Sequence, residues 1–164
     1  MKPSHAAAVT TFGEIEIGQS FSVERTFTAE DIAGFAAISG DYSPLHVDPD
    51  YAARTEFGRN VVHGMLLASL FSQLVGMRIP GKHALYLGQD LTFRRPILVG
   101  EPITALARVS GRNEATRTIS LVTEVRGADG KVAVAGTAKV KVRDDGAGAP
   151  RAASTDVAPA ARAP

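Results

Sequence analysis

VVHGMLLASLFSQLVGMRI, residues 61–79, is the most apolar run of the chain, and its reading decides the architecture. At helical spacing Met65, Leu66, Leu67, Leu70, Phe71, Leu74 and Val75 leave almost no polar face. That is the pattern of a helix enclosed on nearly all sides rather than one lying on a surface. Each such side chain contributes roughly 1.5–3 kcal/mol when fully buried, so the other segments are expected to wrap around this helix. His63, Ser69, Ser72, Gln73 and Arg78 interrupt the run before it reaches the ~18 uncharged apolar residues of a membrane span. The helix opens at Val62-His63-Gly64. First-turn N–H groups have no partner inside a helix and carry the positive end of its dipole, so an oxyanion placed there is stabilised.

Before this run, residues 1–10 are small and polar with a lone His5, and read as a loose arm. From Phe12 to Phe27 the order Ile15, Ile17, Phe21, Val23, Phe27 alternates as a half-buried strand does. Thr28 precedes an Ala-rich segment with acids in its first turn, which predicts a capped helix over 29–39. In SGDYSPLHVDPDYAA, Pro44 and Pro49 prevent a continued helix, and Asp48-Pro49 reads as an N-cap with proline at the first helical position of a short helix through Ala53.

After Pro80-Gly81 the pattern changes to four strand-like runs: HALYLGQDLTFRRPIL, PITALARVSGR, TRTISLVTEVRG and KVAVAGTAKVKVR. The Gly127-Ala128-Asp129-Gly130 punctuation between the last two is a hairpin signal. A strand, short helices, one enclosed helix and an antiparallel meander make an α+β domain over 11–143, with a curved sheet packed on a central helix. Residues 144–164 are mostly Ala, Pro and Gly with Val157 as their one larger apolar residue, a composition expected to be disordered.

Lys+Arg 18 against Asp+Glu 17 gives no concentration of basic charge, which argues against nucleic acid as a partner. The absence of cysteine removes disulfides, thiolate nucleophiles and zinc-cysteine sites. MKPSHAAAVTT holds no apolar segment of secretory length. The chain therefore reads as cytoplasmic and not membrane-bound.

Ser39-Gly40-Asp41-Tyr42-Ser43-Pro44-Leu45-His46 is the place where titratable groups, tight turns and an adjacent helix start coincide. A carboxylate and an imidazole five residues apart across a proline can face the same side and share one water, one group taking a proton and the other giving one. From spacing alone two readings stay open, this couple and a Gly-Asp turn beside a packing histidine. A metal site from His46, Asp48 and His63 lacks a completing cluster, a Gly-x-Ser-x-Gly elbow is missing, and Gly58, Gly64, Gly81 and Gly88 match no phosphate fingerprint. Neither a metal nor a cofactor is expected. His63 is open to a role as ligand, base or satisfied structural residue. Arg94 and Arg95 read as a solvated face that a phosphate-bearing ligand can use, with Arg54 and Arg59 equally ambiguous.

FAAISGDYSPLHVDPDYAA (35–53), VVHGMLLASLFSQLVG (61–76) and YLGQDLTFRRPILVGE (86–101) together resemble the MaoC-like (R)-specific enoyl-CoA hydratases, especially the short enzymes that feed polyhydroxyalkanoate synthesis. The likeness spans about residues 12–143 and rests on Phe35, Ser39-Gly40, Asp41, Pro44, Leu45, His46 and Ala52. It implies a hotdog fold, with the 61–77 helix as the sausage and the sheet as the bun, in a homodimer with side-by-side sheets. It implies hydration of trans-2-enoyl-CoA by Asp41 and His46 on one water, Asp41 as base and His46 as acid or the reverse. The Gly64 N–H would join the oxyanion hole, in agreement with the helix-start argument.

Ser43, His63, Ser72 and Val75 are the candidate substrate-binding residues, with Met77 near them. The acyl tail is expected along the apolar helix and sheet, and the CoA phosphates outside near basic residues. Where the family motif usually carries Asn this chain has Ser43, whose hydroxyl is shorter and offers fewer hydrogen bonds than a carboxamide. A hotdog thioesterase, which needs no Gly-Asp-x-x-Pro-Leu-His segment, and a non-catalytic acyl-CoA binding module are the alternatives.

Overall fold

The computed structural model describes residues 6–143; the expected disordered tail and the first five residues of the expected arm lie outside them. In order come a 3₁₀ turn (Phe12–Glu14), β1 (Ser20–Thr26), α1 (Ala29–Ser39), α2 (Pro44–Val47), α3 (Pro49–Ala53), α4 (Gly64–Met77), β2 (Ala84–Phe93), β3 (Pro102–Asn113), β4 (Thr118–Gly127) and β5 (Val132–Val142). The strands form one antiparallel sheet in the order β1-β3-β4-β5-β2, so the helices between β1 and β2 send those two strands to opposite edges. This is the α+β arrangement of a sheet folded on a central helix. No helix among the described residues is long and apolar enough to cross a membrane.

Local chemistry sets the helix ends. Thr28 Oγ1 accepts the Asp31 N–H at 3.3 Å while Asp31 Oδ2 accepts the Thr28 N–H at 2.9 Å, a capping box that starts α1 where the sequence predicts it. Gly40, at φ 77°, ends α1 with a left-handed residue and turns the chain toward the site. Asp48 Oδ1 accepts the Tyr51 N–H at 2.9 Å and Pro49 opens α3, again as predicted.

The sheet meets α4 through rows of small and β-branched residues. One row crosses all five strands as Val23, Ala105, Val125, Val134 and Phe93. Its three central members are fully buried against Leu66, Leu67, Leu70, Phe71 and Leu74, and alanine there lets helix and sheet approach closely. A second core cluster lies at the far end of the helix, where Val75 and Ile79 pack with Phe12, Ile15, Val109, Leu121 and Val140.

Four expectations need correction. The enclosed helix starts at Gly64: Val61 bridges Leu98 and the Val62 N–H bonds the Ile97 carbonyl, so both valines are extended. Nor is α4 enclosed on nearly all sides, because a single sheet layer covers only part of its circumference; Met65 is 58% exposed and Ser69, Ser72 and Gln73 share that open side. The strand expected over Phe12–Phe27 begins only at Ser20. Thr11 and Glu14 instead form a capping box on the 3₁₀ turn, and Gly18 turns the chain at φ 98°. Residues 8–10 are also not loose, since Ala8 and Thr10 hydrogen-bond across to Met77, Pro80 and Lys82, against a Gly81 whose missing side chain allows the approach.

Candidate active site

The turn after α1 is organised by its own polar groups. Ser39 Oγ donates to the Phe35 carbonyl at 2.8 Å and accepts the Asp41 N–H at 3.2 Å, and Asp41 Oδ1 accepts the Ser43 N–H at 3.1 Å. This Asx turn leads into Pro44, which opens α2 and carries His46 one helical turn from the carboxylate. Asn60 donates to the carbonyls of Leu45 and Asp48, both at 3.1 Å, and the Val61 N–H bonds Leu45, so the chain entering α4 is stitched to α2.

His46 Nδ1 lies 2.7 Å from the Val61 carbonyl. A carbonyl only accepts, so Nδ1 carries the hydrogen and Nε2 is left for chemistry. His63 Nε2 likewise donates to the Asp41 carbonyl at 3.0 Å and sits 4.0 Å from the Asp41 carboxylate. The His46 and His63 rings stack with centroids 3.9 Å apart, and Phe35 tilts against the other side of His63 at 5.0 Å.

One ligand atom from each of Asp41, His46 and His63 lies within 4.8 Å of the others. Two of the four imidazole nitrogens are already committed to carbonyls, which leaves this group poorer as a metal site than the residue types suggest. Asp48, the other carboxylate considered for a metal, is spent on capping α3.

These groups border a cavity of about 600 Å³ that also includes Ser39, Gly64, Phe93, Arg94 and Arg95. Gly64 heads α4, so its N–H is one of the first-turn donors without an intrahelical partner. Phe93 presses on it: a Cβ at position 64 would stand 2.9 Å from the Phe93 ring. Arg95 is held by Asp129 at 2.7 Å and by the Lys131 carbonyl, while Arg94 is exposed at the rim.

The structure thus brings Asp41, His46, His63 and Gly64 to one cavity. Ser43 contributes its backbone N–H to the Asp41 carboxylate, and its side chain is not part of the lining. Ser72 borders a neighbouring groove of about 500 Å³ with Ala68, Tyr86, Gln89 and Leu91; Phe35 and Met65 line both spaces and form the wall between them. Val75 borders neither and is buried in the second core cluster.

Sequence reasoning missed Phe93 and the polar chain beside the groove. There Tyr86 Oη donates to Gln89 Oε1 at 2.6 Å and Gln89 Nε2 donates to the fully buried Thr123 at 3.1 Å. Burial pushes the Tyr86 hydroxyl above its ordinary range, which keeps it a neutral donor. Gly136, opposite Leu91, is the available signal: a side chain there would run into Gln89 and the Asp90 carbonyl.

Comparison with known proteins bears on the family and the fold. Residues 11–131 match the MaoC-like domain family. The (R)-specific enoyl-CoA hydratase of Aeromonas caviae is 46% identical over 128 residues, covering 78% of this chain and 96% of that enzyme. The (R)-specific enoyl-CoA hydratase of Rhodospirillum rubrum is 39% identical over 131 residues, covering 80% and 90%. Among solved structures, the A. caviae (R)-hydratase involved in PHA biosynthesis superposes with a TM-score of 0.77 at 46% identity, over 78% of this chain and 97% of that one.

Proposed function

The chain belongs to the MaoC-like domain family, and we propose that it hydrates trans-2-enoyl-CoA reversibly to (R)-3-hydroxyacyl-CoA on a water shared by Asp41 and His46. The observation that carries the mechanism is the spacing. Two hydrogen bonds of about 2.8 Å meeting at a tetrahedral oxygen span about 4.6 Å, and one ligand atom of Asp41 lies within 4.8 Å of one of His46, a separation that a single bridging water can span.

The Asp41 carboxylate accepts a proton from that water as its oxygen attacks the β-carbon. His46 in its protonated form keeps Nδ1–H on the Val61 carbonyl and gives the Nε2 proton to the α-carbon. Proton exchange through solvent then returns the pair to its starting state. Negative charge gathers on the thioester oxygen during attack, and the Gly64 N–H at the positive end of α4 is placed to receive it; one such donor contributes about 10²–10³ in rate. With both groups on one side of the water, hydrogen and hydroxyl add to the same face of the double bond.

Supply of (R)-3-hydroxyacyl-CoA to polyhydroxyalkanoate synthesis is the role the A. caviae relative favours. Acyl-CoA thioesters are intracellular metabolites, and we place the activity in the cytoplasm. The exposed Arg94 guanidinium at the rim suits the phosphates of the CoA carrier. We further propose a homodimer joined along β2. Both β1 and β2 are sheet edges; β1 carries Glu24 and Arg25, whereas β2 exposes Leu85, Leu87 and Phe93 with one charge, Asp90. An unpaired apolar edge is a pairing surface.

The test is incubation with crotonyl-CoA, following the conjugated enoyl-thioester absorbance beside a thiol reagent. Hydration removes the absorbance and releases no thiol. Thiol release with conjugation intact would identify a thioesterase, and neither signal would identify a binding module; both would overturn the proposal.

A further inference from the structure

His63 enters the sequence reading as a substrate ligand, yet it is 2% exposed and its Nε2–H is spent on the Asp41 carbonyl. We propose that His63 is a positioning residue of the hydration, holding both members of the catalytic pair; this rests on the hydratase reading above.

Three contacts carry the inference. The hydrogen bond to the Asp41 carbonyl fixes the main chain of the residue that bears the base. Face-to-face stacking at 3.9 Å, with an interplanar angle of 29°, fixes the plane of the His46 ring, whose Nδ1 is pinned at the same time by Val61. Phe35 closes the far side of His63 at 59°, so the imidazole is clamped between two rings and has little freedom of its own. His63 also immediately precedes Gly64, and its carbonyl accepts the Leu67 N–H of the first helical turn. One side chain therefore ties the Asp41 turn, the His46 ring and the start of α4 into one rigid unit.

Packing alone does not account for a histidine here. Its Nδ1 is buried and meets no hydrogen-bond partner among the described residues, and a buried polar atom without a partner costs stability that an apolar ring of similar size would not. The orphaned Nδ1 offsets the stability of the hydrogen bond to Asp41, so stability alone gives little reason for histidine over phenylalanine at this position; placing the base and the acid does. The preference for activity over stability is itself a testable signature.

His63→Phe keeps the ring stack and removes the donor to Asp41. It should unfold at the same temperature as the wild type or higher, and lower kcat on crotonyl-CoA at least about tenfold, since small misplacements of reacting groups are costly. KM should stay within about threefold. His63→Gln keeps a donor and removes the stack, and should also lower kcat with KM preserved. Imidazole ¹⁵N NMR of the substrate-free proteins supplies a readout independent of turnover. In its neutral form the wild-type His46 shows the Nδ1–H tautomer; in His63→Gln, which loses the stack, its signals shift toward a mixture of tautomers, while His63→Phe, which keeps the stack, leaves them in place.

Wild-type kcat in His63→Phe, a raised KM with kcat intact, an unchanged His46 spectrum in His63→Gln, or failure of the phenylalanine variant to fold would each overturn the proposal. If the wild type does not hydrate crotonyl-CoA, the hydratase reading fails, and the NMR comparison still decides whether His63 holds His46.

Discussion

Replacing Asp41 by asparagine removes a charge while leaving the turn its architecture. Oδ1 can still accept the Ser43 N–H, the 3.1 Å bond that shapes the Asx turn. The side chain is 50% exposed, so the change behaves as a surface substitution costing about 0.5 kcal/mol, a shift of at most a few degrees in Tm for a domain of this size. What is lost is the acceptor for the proton of the attacking water. A general base contributes about 10²–10⁴ in rate, which at about 1.36 kcal/mol per decade is roughly 2.7–5.4 kcal/mol of barrier. The carboxylate acts on the water and not on the CoA carrier, so KM should stay within about threefold. The assay is steady-state hydration of crotonyl-CoA beside thermal unfolding followed by circular dichroism. A kcat within tenfold of wild type would refute the role of Asp41 as base, and a collapse in Tm would show that its charge is structural.

Gly64→Ala places a methyl group 2.9 Å from the Phe93 ring. That half-exposed ring has room to swing, so the fold should hold while kcat falls at least about tenfold through a disturbed oxyanion donor; wild-type kcat would contradict that assignment. At Asp31, the hydrogen bond from the Thr28 backbone, reinforced by Arg25, holds the carboxyl below its ordinary range. The folded state then binds this proton less readily than the unfolded chain. The resulting stability is complete above the ordinary carboxylate pKa and drains away as pH falls through the lowered one. The destabilisation caused by Asp31→Asn in thermal unfolding should therefore shrink as pH falls from about 5 to about 3, and a constant or growing difference would contradict the sign. Leu87→Lys puts a charge on the exposed edge of β2 and should convert the proposed dimer to monomer in light scattering after size-exclusion chromatography; a dimer mass unchanged from the wild type would remove β2 from the interface.

Features set by neighbours in sequence were legible from the sequence. The Thr28 cap, the Asp48-Pro49 helix start and the turn from Asp41 to His46 each depend on groups within a few residues, and each stands where the chemistry puts it. Features set by cross-strand register were not. Phe93 reaches Gly64 only because it ends the row that begins at Val23, and no local pattern records such a row. The orientation of α4 was the other blind spot. Composition shows an apolar helix, but which side the single sheet leaves open, and hence that Met65 and Ser72 face cavities while Val75 packs in the core, depends on the tilt of helix on sheet. The family resemblance chose between the two readings of Asp41 and His46, and the stacked His63 beside them was not visible in spacing.

The central claim is that acid and base flank one water on one side of the substrate, and the geometry of addition tests it most directly. Crotonyl-CoA hydrated in D₂O should give (R)-3-hydroxybutyryl-CoA with a single deuterium at C2 on the same face as the new hydroxyl, as read from the coupling constants of the product by NMR. Anti addition, or deuterium scrambled over both faces, would mean that Asp41 and His46 do not act on a shared water.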